Sequence, residues 1–505
     1  MTDLGLMNKI IFCWSLCLAV GIGRVQAQFV QRKIYPQPRL TQAVVDIRQL
    51  RTTVSESAED AVQLPTSVDN SKTKYFPPIL SQRGGSCAQA SAIGYMLTYE
   101  LNRLLDRDAS ASAENRMDYL FSWNMLNGGE DQGGFAEEGL YLAQRYGMMS
   151  EADYGGSAVS QFRWCTGYDK YLRAMQNRVE RILVFDDSIP LLKRYLYDAG
   201  NGSRPGGILT FSTQSDGWKI DEQYKGPSAT GYHSLLKKLA TRGAHALTIV
   251  GYDDLVEYED EKGRLHKGAF IVANTWGSWA HDHGRFYLPY DFFRDPSVGN
   301  RLLSGELQGV VPKRYQPKVV FKVRLSYDSR DDLKFSMAGV ERGEGEALPN
   351  YHYCYAFHNQ GGDLPMQGKW LENRLEFAMD FTEFMSSPDA QYASFKLNVV
   401  KSAIGQKVGQ GCLESATVID YRTHEPTEYV FQPKAPVELV GGDNVFTIEP
   451  FKTFDVSVSP YRYADEGQPS AKVFLLKTAD GKAAKLKIEK TDAKNRKVTL
   501  KYKTE

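Results

Sequence analysis

The chain has 505 residues, enough for about two or three domains and a substantial core. Lys+Arg and Asp+Glu both number 61, so net charge gives nothing to attract nucleic acid or an acidic membrane surface. With 42% hydrophobic and 12% aromatic residues, the composition excludes a disordered chain.

The first predicted element is a removable one. Met7-Asn-Lys9 precedes an apolar run from Ile10 to Ile22, too short to span a bilayer and of the length found at the centre of an export signal. Val25-Gln-Ala27 supplies the small-residue cleavage pattern, so residues 1–27 read as a signal peptide and the mature protein as exported, whether periplasmic, cell-surface or secreted. No second long apolar stretch follows, so no transmembrane segment is expected. Cys87, Cys165, Cys354 and Cys412 remain after cleavage, and in an exported protein the ordinary reading of a cysteine is half of a disulfide. Cys354 and Cys412 share the C-terminal half, and the sequence leaves their pairing open.

Residues 28–62 form a polar leader with one short helical stretch, Gln42 to Leu50, too small to fold alone. From Leu64-Pro65 to about Val311 helical and strand patterns mix. After the Gly84-Gly85 turn, Ala90, Ile93, Leu97, Leu101 and Leu104 recur at helical spacing, which predicts a helix opened by Cys87 with Ser86 as its N-cap. A thiol in the first helical turn feels the positive end of the helix dipole, which favours thiolate.

His245 precedes the apolar run Ala246 to Val250, and Phe270 to Ala273 runs into Asn274. The polar stretch Tyr258-Glu-Asp-Glu-Lys-Gly263 lies between them. Folded as an antiparallel hairpin turning at Glu259–Asp260, the two runs bring His245 and Asn274 face to face. An amide there holds one imidazole nitrogen and leaves the other for a thiol.

Beyond Pro312 helical periodicity fades. Lys318 to Lys322, Leu333 to Met337, Ala393 to Val400, Val473 to Lys477 and Val498 to Tyr502 read as short strands, with Thr478-Ala-Asp-Gly481 as a hairpin turn. The expectation is a β-sandwich-like domain over 313–450, and over 451–505 a small β module or a continuation of the sandwich.

Each singled-out residue has an ordinary structural reading. Alone, Cys87 is an inert buried thiol, His245 a strand-end histidine and Asn274 a turn residue; their order and company point to acyl transfer. His281-Asp-His283 reads as a solvated loop with no third ligand nearby, so no metal is expected there. Asn201-Gly-Ser203 matches a glycosylation sequon, and the aromatics from Tyr351 to Phe357 read as strand core.

Six segments in order resemble the papain-like cysteine peptidases, across most of 64–295. They are Leu64-Pro-Thr-Ser-Val-Asp69, Gln82 through Ser91, Asp131-Gln-Gly-Gly134, Ala143-Gln-Arg-Tyr-Gly147 with Ser150-Glu-Ala-Asp-Tyr154, His245 through Tyr252, and Asn274-Thr-Trp-Gly-Ser-Trp279. The resemblance implies an α+β chain: a two-lobed papain-like peptidase domain, 63–312, followed by the all-β region. It implies Cys87 as nucleophile, His245 as general base and then acid, and Asn274 as orienter. Gln82 and the Cys87 N–H would hold the oxyanion, Gly133 and Gly134 would line the extended substrate, and Trp276 would shield the His–Asn hydrogen bond.

The implied substrate is a peptide or protein, with no cofactor and no metal, and the β region is open to an extracellular or cell-surface ligand. Several positions depart from the family pattern. Gln82 stands one residue nearer the nucleophile than usual, Ala88 replaces a bulky aromatic, and both halves of a disulfide are missing, one appearing as Asp131. These departures mark a divergent branch. They keep two alternatives open: a catalytically impaired binding or adhesion protein, and a thiol acyltransferase on the same scaffold.

Overall fold

The computed structural model describes residues 51–55, 62–131, 133–156, 162–260, 262–294, 306–343, 349–357, 361–402, 408–450, 473–477, 483–492 and 497–504. The expected signal peptide, the Gln42–Leu50 helix and the Thr478–Gly481 turn lie outside the described residues. Among the described residues no helix is long and apolar enough to cross a membrane.

The chain divides into two compact units. The first takes the described residues up to 161 and 177–314, and the second takes 162–176 and 315–505. Residues 162–176, expected inside a continuous 63–312 domain, therefore fold with the second unit. The reason is aromatic: Trp164 and Tyr171 pack on Phe357, and Tyr171 also on Phe377, with Trp164 only 1% exposed.

The first unit is built on one ten-stranded sheet. Its strands are β1 (Arg51–Val54), β2 (Ser67–Asp69), β3 (Asn177–Phe185), β4 (Leu209–Asp216) and β5 (Lys219–Asp221). They continue with β6 (Leu235–Lys238), β7 (Arg242–Glu259), β8 (Leu265–Ala273), β9 (Arg285–Pro289) and β10 (Leu307–Arg314). The order is β1-β3-β10-β4-β7-β8-β9-β6-β5, with β2 on β7. β7 is central, and from His245 to Tyr252 every residue is buried, the continuous apolar run of a strand covered on both faces.

Alternation decides what each face meets. Leu209, Phe211, Leu247 and Ile249 join Phe270, Phe286 and the helix Ile189–Asp198 in one core. Thr210 and Thr248, on the opposite face, hydrogen-bond Ser91 of the long helix that Cys87 opens. β10 runs through Pro312 with a bulge at Val311/Pro312, where proline has no N–H for the ladder, so the strand pattern does not stop at that residue. The end of the leader is part of the sheet as well: β1 pairs parallel with β3.

That long helix starts as an α turn, Cys87–Gln89, continues as a π stretch, Ala90–Leu97, and returns to α over Thr98–Leu105. Residues 86–102 are buried all round, so the expected single apolar stripe widens to the whole circumference. Leu104, expected in that stripe, is 52% exposed because the last turn emerges from the fold. Ser86 occupies the N-cap position without a side-chain capping bond, and its hydroxyl is buried without a partner; the turn is closed instead by Ala90 N–H on the Ser86 carbonyl.

The second unit is nearly all β. Nine strands between Val319 and Pro450 pair in one continuous network, and three more within 473–504 form a separate antiparallel sheet. The five strands expected here are present as Val319–Tyr327, Leu333–Glu341, Tyr392–Lys401, Val473–Lys477 and Lys497–Thr504. Arg374–Asp380, Gly411–Asp420, Thr427–Phe431 and Gly442–Pro450 add to them. Gly442–Pro450 shows the pattern of a half-buried strand, with Asn444, Phe446 and Ile448 in and Val445, Thr447 and Glu449 out. Cys412 carries a free thiol, so the Cys354–Cys412 disulfide is not formed.

Candidate active site

The hairpin expected between His245 and Asn274 is the β7–β8 pair, turning at Asp260 to Arg264, where Gly263 N–H bonds the Asp260 carbonyl. Bulges at Ile249/Gly251 and Asp253/Glu257 shift its register. Thr248 pairs with Ala273, so the next step of the ladder lies level with Leu247, two residues beyond His245. The two side chains therefore meet diagonally, not face to face. They still meet: His245 Nε2 lies 2.8 Å from Asn274 Oδ1.

Asn274 has left the β7 ladder, and its own N–H bonds the Gly284 carbonyl. The same amide oxygen also accepts the Thr275 backbone N–H at 2.7 Å. Trp276 stacks on the imidazole of His245 at 4.8 Å between ring centroids, tilted by 28°. Trp218, at the β4–β5 turn, meets His245 edge-on at 6.1 Å and Trp276 at 5.3 Å. Two indoles thus keep water from the His–Asn bond.

Cys87 reaches this strand from the helix. It is 5% exposed and packs on Ala88 and on Ala246, the neighbour of His245. The turn ahead of it is tied to the Asn274 loop: Gln82 N–H bonds the Thr275 carbonyl at 2.7 Å and Gly277 N–H the Leu80 carbonyl at 2.9 Å. Tyr95, two helical turns beyond Cys87, donates its hydroxyl to the Asn274 carbonyl and accepts the Leu80 N–H, both at 2.8 Å. Helix, nucleophile turn and Asn–Trp loop are held as one piece.

Asp131 ties its loop to the turn ahead of Cys87. Its carboxylate accepts the Gly85 N–H at 2.7 Å and fills the space beside Gly84, where φ is +50° and an added Cβ would lie 2.0 Å from Asp131 Oδ1. A hydrogen bond to a carboxylate thus joins the two loops. Gly133 and Gly134 follow, ahead of the helix Ala136–Arg145, and Gln89 fixes this loop by donating to the Phe135 carbonyl at 2.9 Å.

Gln82 is more engaged than an open oxyanion donor. Its Nε2 donates to the Gly84 carbonyl at 2.8 Å and its Oε1 accepts the Thr275 hydroxyl, leaving one amide hydrogen for a ligand.

Burial sets the charge states. The His245 imidazole is lowered to about 4, chiefly by burial; its bond to Asn274 works the other way, and nearby His281 adds to the lowering. Burial likewise pushes the Cys87 thiol up, against the backbone N–H groups of Ala246, Ala88 and Cys87. The expected thiolate in the first helical turn is therefore not the resting form, because loss of hydration outweighs the helix end. Both groups rest neutral. His245 Nδ1 is buried without a hydrogen-bond partner, a basic lone pair ready to take a proton.

The His281-Asp-His283 loop is not uniformly solvated. The His283 side chain is 86% exposed, but that of His281 is 7% exposed, with Nε2 3.1 Å from Asn274 Nδ2 and Nδ1 2.9 Å from Glu222 Oε1. Among the described residues no three His, Cys, Asp or Glu side chains gather as a metal site. Trp218, Glu222 and the packing of His281 escaped the sequence reading. Only His281 left a trace, as a histidine seven residues after Asn274.

No protein-family model matches the chain, and no curated protein matches it. Solved structures it is similar to include cysteine proteases. One is xylellain, a cysteine protease from Xylella fastidiosa, at 18% identity over 50% of this chain and 90% of that one, with a TM-score of 0.35. Another is digestive procathepsin L 3 of Tenebrio molitor larval midgut, at 13% identity over 54% of this chain and 78% of that one, with a TM-score of 0.35. A third is the Carica candamarcensis cysteine protease CMS1MS2 in complex with E-64, at 16% identity over 50% of this chain and all of that one, with a TM-score of 0.34. Overlaps this low carry no weight on the chemistry, which rests on the geometry above.

Proposed function

We propose that this protein is an exported cysteine peptidase that hydrolyses peptide bonds through a thioester on Cys87. The observation that carries the reading is the His245–Asn274 bond, 2.8 Å long and roofed by Trp276, with His245 Nδ1 unpartnered beside the strand position that Cys87 packs on. The fold behind it is a two-lobed papain-like domain followed by a β-sandwich-like region. Export follows from the expected signal peptide at residues 1–27.

With thiol and imidazole both neutral, proton transfer accompanies attack. His245 Nδ1 takes the Cys87 proton as Sγ bonds the scissile carbonyl carbon, and the oxygen gains the charge. The Cys87 N–H and the remaining Gln82 amide hydrogen receive that charge. Collapse breaks the C–N bond, and His245 delivers its proton to the leaving amine. Water, deprotonated by His245, then releases the acid product and the thiol. The Gly133–Gly134 backbone runs along the extended substrate. No step calls for a cofactor.

Burial favours a second reading, a papain-like fold kept for binding: Cys87 is 5% and His245 1% exposed, and Gln82 already bonds Gly84. Intact mass after incubation with an epoxysuccinyl inhibitor separates the two. One adduct on the wild type, absent from Cys87→Ala, supports the peptidase. No adduct on folded, reduced protein favours the binding protein. For labelled protein, amine adducts in place of free acid products would indicate transamidation.

A further inference from the structure

The hydrogen bonds around Asn274 have only one consistent direction. Thr275 N–H is an unconditional donor, so the amide atom it meets at 2.7 Å is the oxygen. That same oxygen faces His245 Nε2 at 2.8 Å, so Nε2 carries the hydrogen and Nδ1 the lone pair. The other amide atom is then Nδ2, a donor, and it faces His281 Nε2 at 3.1 Å. His281 Nε2 must accept, which puts the hydrogen of its neutral ring on Nδ1, 2.9 Å from the Glu222 carboxylate. Glu222 is held in turn by the Ser234 hydroxyl at 2.5 Å, and the Asp282 carboxylate accepts His233 N–H at 2.8 Å, joining the two loops.

We infer that His281 and Glu222 are positioning residues for the thiol chemistry. Glu222 selects the His281 tautomer, His281 Nε2 then accepts from Asn274 Nδ2 and reinforces the amide orientation that the Thr275 N–H sets, and Asn274 thereby keeps the Nδ1 lone pair of His245 free. The role in catalysis rests on the peptidase reading; the tautomer relay does not. His281 sits at φ +53°, a left-handed conformation unfavourable for a residue with a Cβ, and its ring packs edge-on to Phe286 at 5.1 Å and to Trp218 at 6.3 Å. A His281 carrying hydrogen on Nε2 would set donor against donor at Asn274. Turning the amide over would then cost the Thr275 bond and offer His245 a donor where it now finds an acceptor.

The test compares His281→Phe, which keeps an aromatic ring and removes the acceptor, with His281→Gln, which restores an acceptor, and Glu222→Gln. Two readouts are taken: steady-state turnover of a peptide library substrate, and the histidine 15N spectrum, which reports the His245 tautomer. His281→Phe is expected to lose about ten- to hundredfold in kcat with KM changed little, short of the about 10⁴-fold loss known for a mis-set triad tautomer. His281→Gln should recover most of that loss and Glu222→Gln should fall between. In the spectrum the wild type should show one Nε2–H form of His245 and His281→Phe a mixture. Unchanged kcat and an unchanged His245 tautomer in His281→Phe and Glu222→Gln would overturn the inference and leave the peptidase reading standing. If no variant, nor the wild type, turns over substrate or takes the epoxide, a tautomer shift in His281→Phe upholds the relay while the peptidase reading falls. Should His281→Phe fail to fold, the kcat and spectrum of Glu222→Gln decide the matter alone.

Discussion

The depressed imidazole of His245 makes stability depend on pH in a way that can be worked out. In the unfolded chain this group titrates near 6.5, and in the fold it is held at about 4 by burial. Between those values the unfolded state binds the extra proton, so stability attributable to His245 is intact above pH 6.5 and is lost as pH falls toward 4. The size follows from the two constants: about 2 kcal/mol between pH 7 and pH 5, rising to about 3 kcal/mol at pH 4. The perturbation is His245→Gln, which can still donate an amide hydrogen to Asn274 and has no proton to gain. Both proteins carry Cys87→Ala to prevent self-cleavage. Denaturant unfolding of the first unit is followed by tryptophan fluorescence at pH 7 and pH 5. All other titrating groups are common to the pair and cancel in the difference. The wild-type margin over the variant should shrink by about 2 kcal/mol on going from pH 7 to pH 5. A margin that stays constant across that range would refute the idea that His245 is buried as the neutral base.

Other consequences are open to simple assays. Because the Cys87 thiol is pushed up by burial, its alkylation by iodoacetamide, scored against Cys87→Ala, should keep accelerating into the alkaline range; a plateau already reached at neutral pH would instead reveal a resting thiolate. Trp276→Ala removes the ring stacked on His245 and admits water, so the acid limb of kcat/KM should move up by about one pH unit from the low limit set by a base near 4; an unmoved limb would contradict the shielding role. Asp131→Ala frees the Gly85 N–H, and a loss of about 1 kcal/mol in thermal stability with slower labelling of Cys87 is expected. Gln82→Ala should lower kcat by about a hundredfold if its second amide hydrogen meets the oxyanion, and by far less if the side chain only braces Gly84.

Local chemistry was legible in the chain because it is written in contiguous residues. A turn of Gly84-Gly85, a thiol opening a helix, an apolar run ending in His245 and another ending in Asn274 each depend on neighbours in sequence, and the hairpin between the last two can be counted out. Five strands of the C-terminal half were readable for the same reason, since a strand pattern is a property of a few consecutive side chains. Tertiary structure decided everything that required distant groups to share a volume. The hairpin turns at Asp260–Arg264, later than the expected Glu259–Asp260, and the β7 bulges recover only part of that shift, leaving Asn274 level with Leu247; side-chain reach preserved the bond. The 162–176 segment went to the second unit because its Trp164 and Tyr171 found an aromatic core there. Burial, which no single segment determines, reversed the charge state expected of Cys87, and it brought His281 in from a loop that looked solvated to a place between Asn274 and Glu222. Sequence alone named the groups that can do chemistry; packing determined their protonation, their tautomers and the company they keep, because hydration and hydrogen-bond direction depend on what surrounds a group in space.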